Sequence, residues 1–157
     1  MRKNRTFNHF KQLPEDPLPL VAEARRRVRF EEVDAMRIVW HGRYPSYLED
    51  GRAVFGAKYG IGYDDMMREQ FMAPIVQMHI EYHEPLQFPD DFAIITRLHY
   101  TDAVKMNFSY KLVKAPDTIV ATAYTVQVLT DFKNQFLLAR PAYVEAFCQK
   151  WKAGQLG

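Results

Sequence analysis

Asp34 and His41 stand seven residues apart, and His41 is followed by Gly42 and, from Tyr44, by a run with helical spacing. A helix start carries free backbone N–H groups and the positive end of the helix dipole, so negative charge developing there is stabilised. A carboxylate aimed at the same point can attack a carbonyl or take a proton from water. By residue type alone, a turn or capping role for Asp34 and a plain polar position for His41 outweigh that chemistry.

The other candidate groups offer less. His79 and His83 fall four residues apart on an extended pattern, about 13 Å at 3.3 Å per residue, too far to share a metal ion. The sequence has no cysteine pair, no HExxH and no Gly-rich phosphate loop, so neither a metal nor a cofactor is expected. Cys148 is the single cysteine and cannot form an intramolecular disulfide; its place in the last helical pattern suggests packing. Trp40, Phe55 and Phe71 read as core residues.

These residues need a scaffold, and 157 residues suffice for one domain with a sizeable core. The 48% apolar and 25% charged content is that of an ordinary globular chain and excludes a disordered or collagen-like one. No apolar stretch reaches transmembrane length and the N-terminus lacks a signal-peptide core, so a cytoplasmic protein with no stable membrane insertion is expected. The net charge of +2 is uneven: residues 1–29 hold eight bases and three acids, and residues 30–157 thirteen bases and sixteen acids. Without interleaved aromatics the basic end reads as a solvated arm, and no nucleic-acid partner is expected.

Residues 1–20, with Pro14, Pro17 and Pro19, read as a basic N-terminal arm, and 21–157 as a single domain. A strand is expected over 21–33, with Val28 and Phe30 inward. Tyr44, Tyr47, Leu48, Gly51, Val54, Phe55 and Tyr59 then line one face of a helix, with Pro45 in its first turn and Gly60 at its stop. Its other face is small or singly charged (Ser46, Glu49, Ala53, Gly56, Ala57), which suggests burial on both sides. Asp64 and Asp65 start a short helix. From residue 74 the period becomes two: Val76, Met78, Ile80 and Tyr82 share one face. The alternation continues through Phe92–Tyr100, Met106–Leu112 and the β-branched run from Thr118. A turn at Asn134 leads to a short strand at Phe136–Ala139, and an amphipathic helix runs from near Pro141 to about Lys150. The order implies an α+β domain, a curved antiparallel sheet of five or six strands in meander order around one long central helix.

The run VRFEEVDAMRIVWHGRYPSYLEDGR resembles the opening of the 4-hydroxybenzoyl-CoA thioesterase-like branch of the hotdog-fold acyl-CoA thioesterases. The segment from Ala73 to Asp90 and the strands after it also resemble that family, over roughly residues 26–146. The resemblance implies an acyl-CoA substrate, with Asp34 as the catalytic carboxylate, nucleophile or general base. His41 would flank the substrate carbonyl, and the backbone N–H groups at His41 and Gly42 would polarise it. Tyr44 matches the tyrosine near the helix start, Glu49 an acidic helix position, and Lys105 a basic position near the CoA phosphates. Arg37 stands where the family usually has Gly, and could pair with Asp34 or reach a CoA phosphate. Ala73 replaces a hydroxyl residue found in some relatives.

The sequence thus points to an acyl-CoA thioesterase that releases a carboxylic acid and free CoA, with no metal. A hotdog hydratase and a non-catalytic acyl-binding scaffold are the alternatives. Edge strands and the small-residue helix face imply a homodimer or homotetramer.

Overall fold

The computed structural model describes residues 9–156, so the basic cluster at Arg2, Lys3 and Arg5 lies outside the described residues. Strand β1, Leu20–Arg27, points Leu20, Ala22 and Ala24 inward and Glu23 and Arg25 outward. It ends earlier than the alternation suggests. Val28 is buried as expected, but Phe30–Glu32 folds into a single 3-10 turn that leaves Phe30 77% exposed, its ring edge-on to Phe88. The turn forms because the Glu32 carboxylate takes the backbone N–H of Arg29 at 2.8 Å, which a continuing strand would not allow.

Helix α1, Tyr44–Tyr59, begins with Pro45 in its first turn and ends at Gly60, whose φ of +71° is the left-handed conformation that glycine tolerates best. Tyr47, Leu48 and Phe55 are fully buried, whereas Val54 is 40% exposed and lies off the packed face. Gly51 marks the closest approach of α1 to the sheet: a Cβ there would stand 2.4 Å from Thr96 Oγ1 and 2.9 Å from Ile94 Cγ2. Helix α2, Tyr63–Arg68, starts at the expected aspartates, Asp65 accepting the N–H of Gly62 at 2.9 Å.

Strands β2 (Ile75–Tyr82), β3 (Asp91–His99), β4 (Lys105–Lys114) and β5 (Thr118–Val128) complete one five-stranded antiparallel sheet. Its order is β1-β3-β4-β5-β2, so only β3 to β5 form the expected meander. The helical stretch carries the chain across the sheet, β2 lands beside β5, and residues 83–90 bring it back beside β1. Fully buried Leu86 lies on that return, its carbonyl accepting the Val39 N–H at 2.8 Å. Phe92, Ile94 and Leu98 of β3 and Met106, Phe108, Tyr110 and Leu112 of β4 are buried as the alternation predicted.

Two regions depart from expectation. Every residue of β2 is at least partly exposed, so its alternation does not divide a buried from a solvated face. The segment at Phe136–Ala139 is not a strand; a lone bridge between Thr130 and Phe136 follows the turn at Asn134, whose φ is +60°. Ser46, Glu49, Ala53 and Ala57 are exposed, so the second face of α1 is open in the single chain; Gly56 alone of that set is buried, against Gly62.

Helix α3, Ala142–Lys152, closes the sheet end beside the C-terminus of α1, where the Tyr143 hydroxyl donates to Gly60 O at 2.6 Å. Residues 9–19 lie against the body: His9 stacks on Tyr124 at 3.6 Å, and Leu18 O accepts the Trp151 indole N–H at 2.9 Å. No helix among the described residues is long and apolar enough to cross a membrane.

Gly51→Ala tests the helix–sheet contact. Alanine favours a helix by up to about 1 kcal/mol, but overpacking against Thr96 and Ile94 costs about 1–3 kcal/mol. A lower melting temperature in a thermal melt is expected; an equal or higher one would show that α1 stands off the sheet.

Candidate functional site

The loop between β1 and α1 is a short hairpin closed by a bridge between Val33 and Val39. Arg37 N–H donates to Asp34 O at 2.9 Å and Asp34 N–H to Ile38 O at 2.9 Å. Arg37 itself has φ of +62°. This pattern, a turn followed by a left-handed residue, is a common hairpin geometry in which the left-handed position favours Gly. Here an arginine accepts it, at a cost of about 1–2 kcal/mol, and its side chain is thrown outward. Arg37 is exposed and forms no ion pair with Asp34 or any other described residue.

Asp34 opens the turn and is half-buried. Its Oδ1 accepts the Met36 N–H at 2.8 Å, the usual way an aspartate fixes such a turn. Oδ2 has no hydrogen-bond partner among the described residues. The turn role weighed for Asp34 is therefore present, and it occupies one carboxylate oxygen while orienting the other.

The loop returns to the helix through three bonds. Val39 N–H reaches Leu86 O, Trp40 N–H reaches Glu32 O at 2.9 Å, and His41 O accepts the Tyr82 hydroxyl at 3.0 Å. A 3-10 turn at His41–Arg43 runs straight into α1. Arg43 N–H bonds back to Trp40 O, so among the described residues the amides of His41 and Gly42 are the free first donors of the helical stretch. A Cβ at Gly42 would lie 2.3 Å from the Trp40 ring, so a larger residue there would displace that half-exposed side chain. Trp40, expected in the core, is instead 48% exposed.

Beneath the helix start lie the buried phenols Tyr44 and Tyr47, with the half-exposed Tyr82 beside them. Tyr44 is buried, edge-on to Tyr82 at 4.8 Å, and desolvation followed by the nearby Tyr82 pushes its pKa up to about 12. Burial, then the nearby Glu32 carboxylate, raises Tyr47 as well, and burial raises Tyr82. Glu32 is 3% exposed; Arg26 Nη2 pairs with its Oε2 at 3.2 Å, and Arg26 also pairs with Asp50 on α1.

One chain thus gathers Asp34, Arg37, His41, Gly42 and Tyr44 in a single loop and helix start, with Tyr44 in the core beneath it. Glu49 stands exposed on the open face of α1. Lys105 does not join them: it begins β4, whose other end, Lys114, reaches Pro85 O and Asp90 near the loop. Nine strand steps separate the two lysines by about 30 Å. Sequence reasoning missed Glu32, Tyr82 and the cover by Trp40. Glu32 had a signal, since the alternation that placed Val28 and Phe30 inward also places a carboxylate there; Tyr82 had none, because its partner is a backbone carbonyl distant in sequence.

A helix start with two free amides can stabilise a developing oxyanion, and a carboxylate with one free oxygen can attack or deprotonate beside it. Phe30, Met36, Trp40, Tyr82 and Phe88 give the loop an exposed apolar rim.

Known proteins resemble the chain in sequence and in fold. An acyl-CoA thioester hydrolase of Escherichia coli is 25% identical over 105 residues, covering 67% of this chain and 78% of that protein. A DHNA-CoA thioesterase structure from Staphylococcus aureus superposes with a TM-score of 0.75 at 18% identity, covering 86% of this chain and 93% of the other, and shows the shared hotdog fold. A hypothetical protein of Aquifex aeolicus superposes with a TM-score of 0.73 at 29% identity, covering 81% of this chain and 98% of the other. The family model described as the thioesterase-like superfamily matches residues 28–151, most of the chain. On that match the chain belongs to the thioesterase-like superfamily, and with it to the thioester hydrolases.

Proposed function

We propose that this protein hydrolyses acyl-CoA thioesters with water, releasing a carboxylic acid and free CoA. The observation that carries the reading is Asp34, locked by Met36 N–H through one oxygen with the other free, on the loop that ends at the unpaired amides of His41 and Gly42. Those amides would hold the thioester oxygen as it gains charge. The free Asp34 oxygen would attack the carbonyl carbon to give an anhydride, or deprotonate the attacking water; both routes use the same atom. His41 would contribute through its backbone, since its carbonyl is already bonded to Tyr82. Arg37, held outward and unpaired, is suited to a CoA phosphate.

The active unit in this reading is a homodimer or homotetramer. Strand β2 is a sheet edge with Ile75, Val76, Met78 and Tyr82 each at least 37% exposed, and the open face of α1 carries Ala53 and Ala57. Edges of this kind are templates for pairing, and two copies joined there would cover both.

Asp34→Asn keeps an oxygen for Met36 N–H, so folding should be unchanged while single-turnover hydrolysis falls by about 100-fold or more. His41→Ala should lose less; full activity in Asp34→Asn would remove Asp34 from the chemistry. Arg37→Gly suits the left-handed turn, so it should melt no lower than the parent while KM for acyl-CoA rises and kcat is largely kept. An unchanged KM would take Arg37 away from CoA. Sedimentation should show a dimer or larger, and a stable 18.5 kDa monomer at micromolar concentration would contradict the paired assembly.

A further inference from the structure

The second half of α1 borders a cavity of about 290 Å³ between α1, α2 and strands β4 and β5. An engineered apolar cavity of about 150 Å³ holds benzene, so this one has room for a substantial acyl group. Its helix wall is Arg52, Ala53, Gly56 and Ala57, and Tyr63 and Gln127 face them. Ala53 and Ala57 are exposed, so in the single chain the cavity opens on the face of α1 that the paired assembly would border.

Arg52 is 9% exposed. Its Nη1 donates to the Tyr110 hydroxyl at 3.1 Å, which in turn meets Thr125 Oγ1 at 2.7 Å. Burial raises the Tyr110 pKa, so this partner is a neutral phenol. No carboxylate among the described residues pairs with Arg52, and its Nε is buried without an acceptor. Glu49 lies one turn earlier on α1 and forms no ion pair with it. Of the two acids at the cavity, Asp65 is spent on Gly62 N–H and Arg68, and Asp64 is exposed to water. A guanidinium on the cavity wall that is nine-tenths buried and has hydroxyl but no carboxylate partners is matched by an anionic acceptor, best by a planar carboxylate.

We propose that this cavity receives the acyl group and that Arg52 recognises a carboxylate at its far end, so that the preferred substrates are CoA monothioesters of dicarboxylic acids. This rests on the acyl-CoA hydrolase reading above. Arg52 lies eight residues beyond Tyr44, about 12 Å along α1 at 1.5 Å per residue, so the recognised group is remote from the helix start. Small Ala and Gly side chains on the helix and Met106 and Phe108 on β4 supply apolar walls for the intervening carbons.

The test compares kcat/KM for CoA thioesters of matched length ending in methyl, hydroxyl or carboxylate, over several lengths, in the parent, Arg52→Gln and Arg52→Lys. The parent should favour the carboxylate over the methyl end by about ten- to a hundredfold at its best length, the range of a hydrogen bond to a charged group. That ratio should collapse in Arg52→Gln and survive in part in Arg52→Lys. Equal rates for the two ends in the parent would overturn the proposal. So would a preference for the hydroxyl end, which would assign recognition to the unpaired Gln127 Oε1. If Arg52→Gln does not fold, the parent series and Arg52→Lys decide. If no acyl-CoA is cleaved, the hydrolase reading fails separately, and calorimetry with non-hydrolysable thioether analogues decides this one. Tighter binding of the carboxylate-ended analogue supports the proposal, and equal binding of the methyl-ended one overturns it.

Discussion

The buried carboxylate of Glu32 sets the geometry on which the site depends. Through Arg26 it is bound to β1, through Arg29 N–H it closes the 3-10 turn, and its own backbone carbonyl takes Trp40 N–H at the exit of the loop. Arg26 carries the tie onward to Asp50 on α1. Strand, loop and helix therefore meet at two ion pairs that share Arg26. Removing Arg26 would leave the buried Glu32 carboxylate without its cation, a destabilising change, whereas removing Glu32 would leave Arg26 its pair with Asp50. The position of Asp34 relative to the helix start follows from that tie.

Two further constraints act on the same end of α1. The chain must return from β2 to β3 past the helix start, and that return supplies Leu86 O for Val39 and, from the end of β2, the Tyr82 hydroxyl for His41 O. The layer beneath holds the buried phenols Tyr44 and Tyr47 and the Glu32 carboxylate, whose charge is met by Arg26. The other half of α1 has a different character: a buried cation, small side chains and open space. Chemistry at one end of the helix and recognition further along it are thus divided on a single element.

Much of this was legible in the sequence. Tyr44, Pro45 and Gly60 marked α1 to the residue, because the first-turn proline and the left-handed stop have local causes. The alternation in β3 likewise gave the buried residues; in β4 it gave Met106, Phe108, Tyr110 and Leu112 but not Asn107 and Ser109, which are buried on the opposite face. It failed in β2, which, unlike the other edge strand β1, buries neither face in the single chain, and at Phe30, where a side-chain bond from Glu32 overrode the strand pattern. The order β1-β3-β4-β5-β2 was not legible, because nothing local records that β2 crosses to the far edge. Asp34, His41 and Gly42 were recognisable by type and spacing; the left-handed φ of Arg37 was foreshadowed by the glycine it replaces. The environment of Arg52 depends on Tyr110 and Thr125, which are 58 and 73 residues further along the chain, and no spacing rule connects them.

The central claim is that the helix start polarises a thioester carbonyl presented to Asp34. It is tested most directly by isotope-edited infrared spectroscopy of an acyl-CoA carrying ¹³C at the thioester carbonyl, bound to Asp34→Asn. Hydrogen bonds from the His41 and Gly42 amides should lower the carbonyl stretching frequency relative to the same thioester free in water, where its donors are mobile and poorly aligned. A bound carbonyl at or above its frequency in water would contradict the account, since the free amides at the helix start would then have no part in the reaction.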